Sequence, residues 1–507
     1  MMSPSFDFHD LFIFEMANNH QGQVEHGRRI IEELARIAHA KGVRAAVKLQ
    51  FRELDGFIHP AHRAGSANKH IGRFLSTKLA KEEFGRLVEE TRKQGLVTIC
   101  TPFDEPSVDM IVELGIEVVK IGSCSATDWP LIEKVADCDK PVIFSTGGLT
   151  MKEIDDLVSF FDHRRVPHAI MHCIAIYPTP DDRLQLNQIE ALCRRYPDKV
   201  IGFSTHEDPG DFSPVQIAVA KGARIFERHV GAEAEGVTLN AYSANPAQIE
   251  RWIDAYLKAK RLCGDETRPP ASPEEVDSLR SLKRGVFAKR PLKRGAELQR
   301  DDVYFAMPCE PGQITSGEWK AGVVLTEDVK RDQALSASNV RFPHDPDKQV
   351  LFTAIHAIKG MLNEARISLN TDFRAEFSHH YGIAQFPQVG ATIIECINRG
   401  YCKKLIIQLP GQRHPAHYHK RKEETFQVLY GVLNVEVEGR RRVLHPGDTQ
   451  LIQQAVWHEF STETGAIFEE ISTTHFDDDS FYGDKAINRL ERAKRKTIVN
   501  HWGRYQI

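Results

Sequence analysis

A chain of 507 residues exceeds what one ordinary hydrophobic core organises, so two to four domains of roughly 100 to 250 residues each are expected. Hydrophobic residues make up 41% and charged residues 27%, and the formal net charge is -4, a balance that excludes a disordered chain and gives no reason to expect nucleic acid as a partner. No run approaches about 18 uninterrupted apolar residues, and the opening MMSPSFDFHD lacks a basic start followed by an apolar stretch, so no membrane association and a cytoplasmic location are expected. The nine cysteines contain no C-x-x-C pair and suit reduced thiols. Cys100, Cys124 and Cys173 lie in strand-like runs and read as core residues.

From residue 11 to about 230, short apolar runs alternate with stretches of helical period, the pattern of βα units in a parallel sheet. The runs are LFIFEMA, AAVKLQF, LVTICTPF, VVKIGS, PVIFSTG, AIMHCIA, VIGFSTHE and ARIFERHV. Helices are predicted at 24–40, 80–94, 105–114, 150–161, 184–195 and 211–221, several ending at a glycine (Gly42, Gly95, Gly115, Gly222). Eight such units close most economically as a (β/α)8 barrel, whose chemistry sits at the carboxyl-terminal ends of the strands. Polar residues gather at those ends: Glu15 and Asn19, Lys48 and Gln50, Thr101 and Asp104, Lys120 and Ser123, Ser145 and Thr146, Tyr177, Ser204 and His206, Arg228 and His229. A lysine inside an apolar strand fits a core ion pair or an anion site, but two on neighbouring strand ends, converging with hydroxyls, favour a dianionic phosphate. His206 and His229 suit a divalent cation or structural packing equally.

The segments FEMANNHQG, VKLQF, TPFDEPSVD, KIGS, KPVIFSTGG, IYPTP, FSTHE and ERH, in this order and spacing, resemble the N-acetylneuraminate (sialic acid) synthase family over roughly residues 10–340. That resemblance implies condensation of phosphoenolpyruvate with a sugar aldehyde to a 3-deoxy-2-keto (nonulosonic) acid and phosphate. It implies Mn or Mg at His206 and His229. Lys48, Lys120, Ser123 and Ser204 match the phosphoenolpyruvate positions, and Thr101, Phe103 and Asp104 match the Thr-Pro-Phe-Asp segment. Glu15 and Gln50 match positions near the reacting carbons, with Glu15 as general acid or base, while Asn19 and Tyr177 are read as substrate-binding.

Three departures from the family pattern stand out: the first loses a polar contact near the phosphate, and the other two rewrite the acceptor half of the site. Ala175 replaces an Asn of the family pattern, Glu310-Pro311-Gly312 stands where the family has Arg-Pro-Gly, and VGAEAEGVTLNAYS replaces an acidic segment, with Glu233 or Glu235 as substitutes. N-acetylmannosamine is therefore not the expected acceptor.

After the synthase domain (1–262), the Pro- and Ser-rich stretch 263–280 reads as a linker. Residues 281–342 resemble the family's antifreeze-like (SAF) domain, which implies a homodimer that exchanges this domain. Residues 343–507 open with a helix at 350–365 and contain the hairpin GVLNVEVEGRRRVLHPGD, and here lies the most specific motif of the chain. His417, His419 and Glu424 are spaced to point to one side of a β-barrel wall, and His458 follows on a strand that can face them. Three imidazoles and a carboxylate suit Mn, Fe, Ni or Zn with positions left open. The pattern resembles a cupin, including Gly411, Gly431 and Gly447, but has Gln453 and Ala455 where the family has Pro and Gly. The surrounding stretches are similar to sugar isomerases of the D-lyxose type, which implies that the cupin binds or isomerises a sugar with Glu423 or Glu470 as base. The alternative is a cupin isomerase or carbohydrate-binding module on an inactive synthase scaffold.

Overall fold

The strands of the N-terminal part are runs of β-branched and aromatic residues buried along nearly their whole length, as expected for a sheet covered on both faces. They are β1 (Leu11–Glu15), β2 (Arg44–Phe51), β3 (Val97–Pro102), β4 (Val118–Ile121), β5 (Val142–Ser145), β6 (His168–Cys173), β7 (Ile201–Thr205) and β8 (Ile225–His229). In this computed structural model, which describes residues 6–265, 268–369, 373–500 and 502, they form a closed parallel barrel in chain order, with β8 pairing back onto β1. Residues 266 and 267 of the expected linker lie outside the described residues.

Strand period decides what faces inward. On β1, Phe12 and Phe14 pack outward against the helical layer, which includes the fully buried Trp252. Leu11 and Ile13 point inward with Ala46, Ile99, Val118, Ile143, Ala169, Met171 and Ile225, and these residues plug the lower barrel. The next inward positions on the same strands are Glu15, Lys48, Thr101, Lys120, Ser145, Cys173 and Glu227, so the apolar plug is capped by a polar layer. Gly202 admits β7 to this arrangement, because a Cβ there would lie 2.3 Å from Met171 Sδ.

The predicted helices are present, for example at Val24–Lys41, Lys81–Lys93 and Met151–Arg164. Gly42, Gly95, Gly115 and Gly222 each follow a helix with positive φ. Three short helices between β2 and β3 (Leu54–Phe57, Pro60–Arg63 and Lys69–Ser76) and others at Trp129–Ala136, Pro246–Cys263, Lys485–Arg489 and Pro273–Leu282, the last mostly within the expected linker, are additional to those expected.

The chain divides into two compact units, 1–270 and 271–507. In the second, short strands between Gly285 and Arg341 enclose their own core of Val286, Leu298, Val303, Val323, Leu325 and Leu335. Helix Pro346–Glu364 precedes two antiparallel sheets, of seven and five strands. Leu433–Val437 and Arg440–Leu444 form the expected hairpin through Glu438 and Gly439, both at positive φ. Gly431 admits no side chain, since a Cβ there would lie 2.0 Å from the Gly465 carbonyl oxygen. Among the described residues no helix is long and apolar enough to cross a membrane.

Candidate functional site

A cavity of about 1130 Å³ opens at the carboxyl-terminal mouth of the barrel. It is lined by Glu15, Asn19, Lys48, Gln50, Thr101, Phe103, Lys120, Ser123, Tyr177, Ser204, His206 and His229, twelve of the thirteen residues expected in the barrel site. The exception is Asp104, which does not line it. Asp104 caps helix Glu105–Glu113, accepting from the Ser107 amide at 2.9 Å, and its other oxygen accepts from the Glu53 amide at 2.8 Å. Its acceptors are therefore spent on folding the rim. Glu233 and Glu235 do not line the cavity either, and Asn240 and Tyr242 stand there instead. Cys124, expected in the core, is exposed at the cavity wall.

The floor is a buried charge cluster whose centre is Glu227, which sequence reasoning missed. Lys48 Nζ contacts Glu15 and lies 3.0 Å from Glu227, Lys120 Nζ lies 3.9 Å from Glu227, and Ser204 Oγ donates to Glu227 at 2.8 Å. Burial alone would raise the Glu227 carboxyl, but Lys120 and Lys48 overcome it and hold it down to about 2. Burial likewise opposes the charge on Lys48, and the Glu15 and Glu227 carboxylates reverse that and raise it. Burial dominates at the other two groups, raising Glu15 and lowering Lys120. The one clue to Glu227 in the sequence was parity, because it sits two residues before His229 on the same strand.

Around this floor, Lys120 donates to Ser145 Oγ, and Ser123 Oγ accepts from the Gly147 amide at 3.1 Å. Among the described residues Thr101 Oγ1 is buried without a partner. His206 Nδ1 donates to the Ile174 carbonyl at 3.1 Å, which leaves Nε2 free for another group. The His206 and His229 rings are 5.4 Å apart, with Tyr177 4.2 Å from the first and Tyr242 5.0 Å from the second. Burial pushes His206 down to about 4 and holds His229 well below its usual value, so both imidazoles are neutral, the state that binds a cation. With only two imidazoles, most of an ion's remaining shell is left to water and substrate.

In the second unit the expected quartet converges: ligand atoms of His417, His419, Glu424 and His458 all lie within 4.8 Å of one another, and all four residues are buried. Each Nδ1 donates to a backbone carbonyl, His417 to Pro415 (3.0 Å), His419 to Asp479 (2.6 Å) and His458 to Val456 (3.2 Å). That orients every Nε2 inward, the arrangement a tetradentate cation site needs. Burial lowers His419 to about 4, and holds His417 well below its usual value. The donor set therefore fits a borderline divalent ion. Beside it lies a cavity of about 1060 Å³ whose wall includes Lys404, Lys422 and Glu470. Lys422 contacts Glu424 and donates to Glu470 at 2.8 Å, while Lys404 lies 3.4 Å from Glu470. Of the two candidate bases, Glu470 is buried in this wall and Glu423 is exposed outside it.

The NeuB family model matches residues 34–268 and a cupin domain model matches residues 405–471. A crystal structure assigned to spore coat polysaccharide biosynthesis protein E from Chromobacterium violaceum is 45% identical and superposes with a TM-score of 0.65, covering 66% of this chain and 100% of its own. An uncharacterized protein of Methanocaldococcus jannaschii is 31% identical over 325 residues, 63% of this chain and 90% of its own length. The N-acetylneuraminate-9-phosphate synthase of Drosophila melanogaster is 26% identical over 358 residues, 65% of this chain and 95% of its own. With an eight-stranded barrel of the expected topology and relatives aligned over nearly their whole length, the chain belongs to the NeuB family and carries a cupin domain in its C-terminal part.

Proposed function

We propose that the barrel condenses phosphoenolpyruvate with a sugar aldehyde, giving a 3-deoxy-2-keto acid of the nonulosonic type and inorganic phosphate. The observation that carries this reading is the convergence of Lys48 and Lys120 with Ser123, Ser145 and Ser204 in one cavity, beside two neutral imidazoles. The Drosophila synthase among its relatives supports it. The two ammonium groups and the hydroxyls neutralise and orient the phosphate, in a pocket closed to water from below by the apolar plug. Thr101 Oγ1, buried and unpartnered, offers a further donor. Glu15, held above the usual carboxylate range by burial and in contact with Lys48, is placed to hold or move a proton at the acceptor's aldehyde oxygen. Gln50, Phe103, Asn19 and Tyr177 form the acceptor side. His206 and His229 would hold Mn or Mg, which when bound polarises a carbonyl and orients water.

In the cupin, His417, His419, Glu424 and His458 would hold Mn, Fe, Ni or Zn, and the adjoining cavity binds or isomerises a sugar with Glu470 as the base. The division into a synthase domain, a linker, an antifreeze-like domain and a cupin, together with a cytoplasmic homodimer that exchanges the antifreeze-like domain, rests on the family resemblance. Glu310, where the family has an arginine, supports an acceptor other than N-acetylmannosamine.

The test is phosphate release from phosphoenolpyruvate with Mn2+ and a panel of aldoses. Release with at least one aldose, reduced roughly 100- to 1000-fold in Lys120→Met, is expected. Absence of release with every aldose, or full activity in that variant, overturns the reading.

A further inference from the structure

The outer wall of the barrel cavity is built by the segment between β2 and β3, which holds the three short helices that sequence periodicity did not foretell. Its charge differs from that of the floor. On the floor, Lys48 and Lys120 are matched by Glu15 and Glu227. On the wall the cavity is lined by Arg52, Lys69 and Arg73, and among the described residues no carboxylate other than Glu15 and Glu227 lines it. The excess positive charge of the site is thus concentrated away from the floor.

Arg52 is the best placed of the three. Its guanidinium carbon lies 4.0 Å from the centre of the Phe74 ring and 3.5 Å from that of Phe103, so rings cover both faces and only the N–H edges are left for polar partners. One edge donates to Gln50 Oε1 at 3.0 Å, while Nε is buried without an acceptor. Among the described residues, neither Arg52 nor Arg73 has an ion-pair partner. Burial pushes Arg52 down to about 10, an effect that Glu15 and Asp104 oppose only in part. Arg73 reaches in from helix Lys69–Ser76, where Nη2 donates to Asn19 Oδ1 at 3.3 Å. Asn19 is itself fixed, donating to the Val230 carbonyl at 2.7 Å and to Ser243 Oγ at 3.1 Å. Phe74 follows Arg73 in the chain, so one helix supports both guanidinium groups.

A stacked arginine with no carboxylate at ion-pair distance among the described residues, facing a cavity large enough for two substrates, suits an oxyanion. We infer that Arg52, aided by Arg73, recognises a negatively charged group on the acceptor, so that the sugar aldehyde is an anionic one bearing a phosphate ester or a carboxylate away from its carbonyl carbon. This rests on the condensation reading and narrows its substrate class. Gln50 and Phe103, which hold Arg52, then tie recognition of the charged end to the position of the acceptor.

The test uses the full-length protein with Mn2+ and saturating phosphoenolpyruvate, titrated calorimetrically with mannitol, mannitol 1-phosphate and mannonate, which lack an aldehyde and cannot turn over. Binding of phosphoenolpyruvate is measured first on the same sample. The phosphate or the carboxylate probe is expected to bind roughly 10- to 100-fold more tightly than mannitol, the range of a charge-assisted contact. Which of the two binds better tells the phosphate ester from the carboxylate. Arg52→Met should reduce the advantage to less than about threefold and Arg52→Lys should restore part of it, as a charge effect requires and a packing role does not. Arg73→Met, at an exposed position, should lower it without a loss of fold. Affinity for phosphoenolpyruvate should stay within about twofold in all three. Equal binding of charged and neutral probes, no binding of any probe, an undiminished advantage in both Met variants, or weakened phosphoenolpyruvate binding in Arg52→Met overturns the inference while leaving condensation standing. Failure of the unmodified protein to bind phosphoenolpyruvate sinks the condensation reading and this inference with it.

Discussion

Replacing Lys48 with Met tests whether the barrel floor is an electrostatic unit. The lysine and both of its acids are almost wholly buried, with side-chain exposures of 5%, 1% and 5% for Lys48, Glu15 and Glu227. Met fills most of the volume but leaves two carboxylates facing each other, with Lys120 3.9 Å from Glu227 as the remaining cation. Removing one member of a buried ion pair typically costs about 3 to 5 kcal/mol. An upper bound follows from the alternative open to the protein, which is to keep one carboxyl protonated. For an acid of ordinary pKa near 4.5, carrying a proton at pH 7.5 costs about 4 kcal/mol, and at pH 5.5 only about 1.4 kcal/mol. The variant is therefore expected to lose about 3 to 4 kcal/mol at pH 7.5, a fall of about 6 °C in the melting temperature of a unit of this size. The sign follows from linkage. A carboxyl whose folded-state pKa is raised stabilises the fold below its unfolded pKa and loses that contribution as pH rises through the folded value, so the defect must shrink on acidification. Differential scanning calorimetry of both proteins between pH 5.5 and 7.5 measures this. A defect of constant size across that range would mean that lost packing, not uncompensated charge, is responsible, and no defect at all would refute the cluster.

Other outcomes follow from the second unit. Ala455 has φ of 61°, a left-handed conformation in the place where the cupin pattern has glycine, so Ala455→Gly should stabilise this unit by about 1 kcal/mol in urea titration. Gly431→Ala should have the opposite effect, by at least about 2 kcal/mol, because the new methyl would meet the Gly465 carbonyl oxygen 2.0 Å away at a φ of 74°. The combined substitution His417→Ala and His458→Ala should remove one equivalent of bound divalent metal per chain, measured by elemental analysis after dialysis. Unchanged metal content would show that the quartet binds none.

The sequence by itself determined the eight barrel strands and the cupin ligand set, because both are written in short-range spacing. A strand buried on both faces must be a continuous apolar run, and three of the four cupin ligands, His417, His419 and Glu424, fall within eight residues, with His458 opening a later strand. It could not decide which polar residues meet across the barrel. Glu227 reads as one acid in ERH until ring closure brings it between Lys48 and Lys120. Asp104 looks like a member of the site until the amides of Ser107 and Glu53 claim its oxygens, and Glu470 is separated from Glu423 only because the fold buries the first in the cavity wall and leaves the second exposed just before a strand. Arg52 was passed over for the same reason. Its meaning depends on two phenylalanines, one 22 and the other 51 residues further along the chain, and on the absence, among the described residues, of a carboxylate at ion-pair distance, and these relations come into being only when the chain is folded.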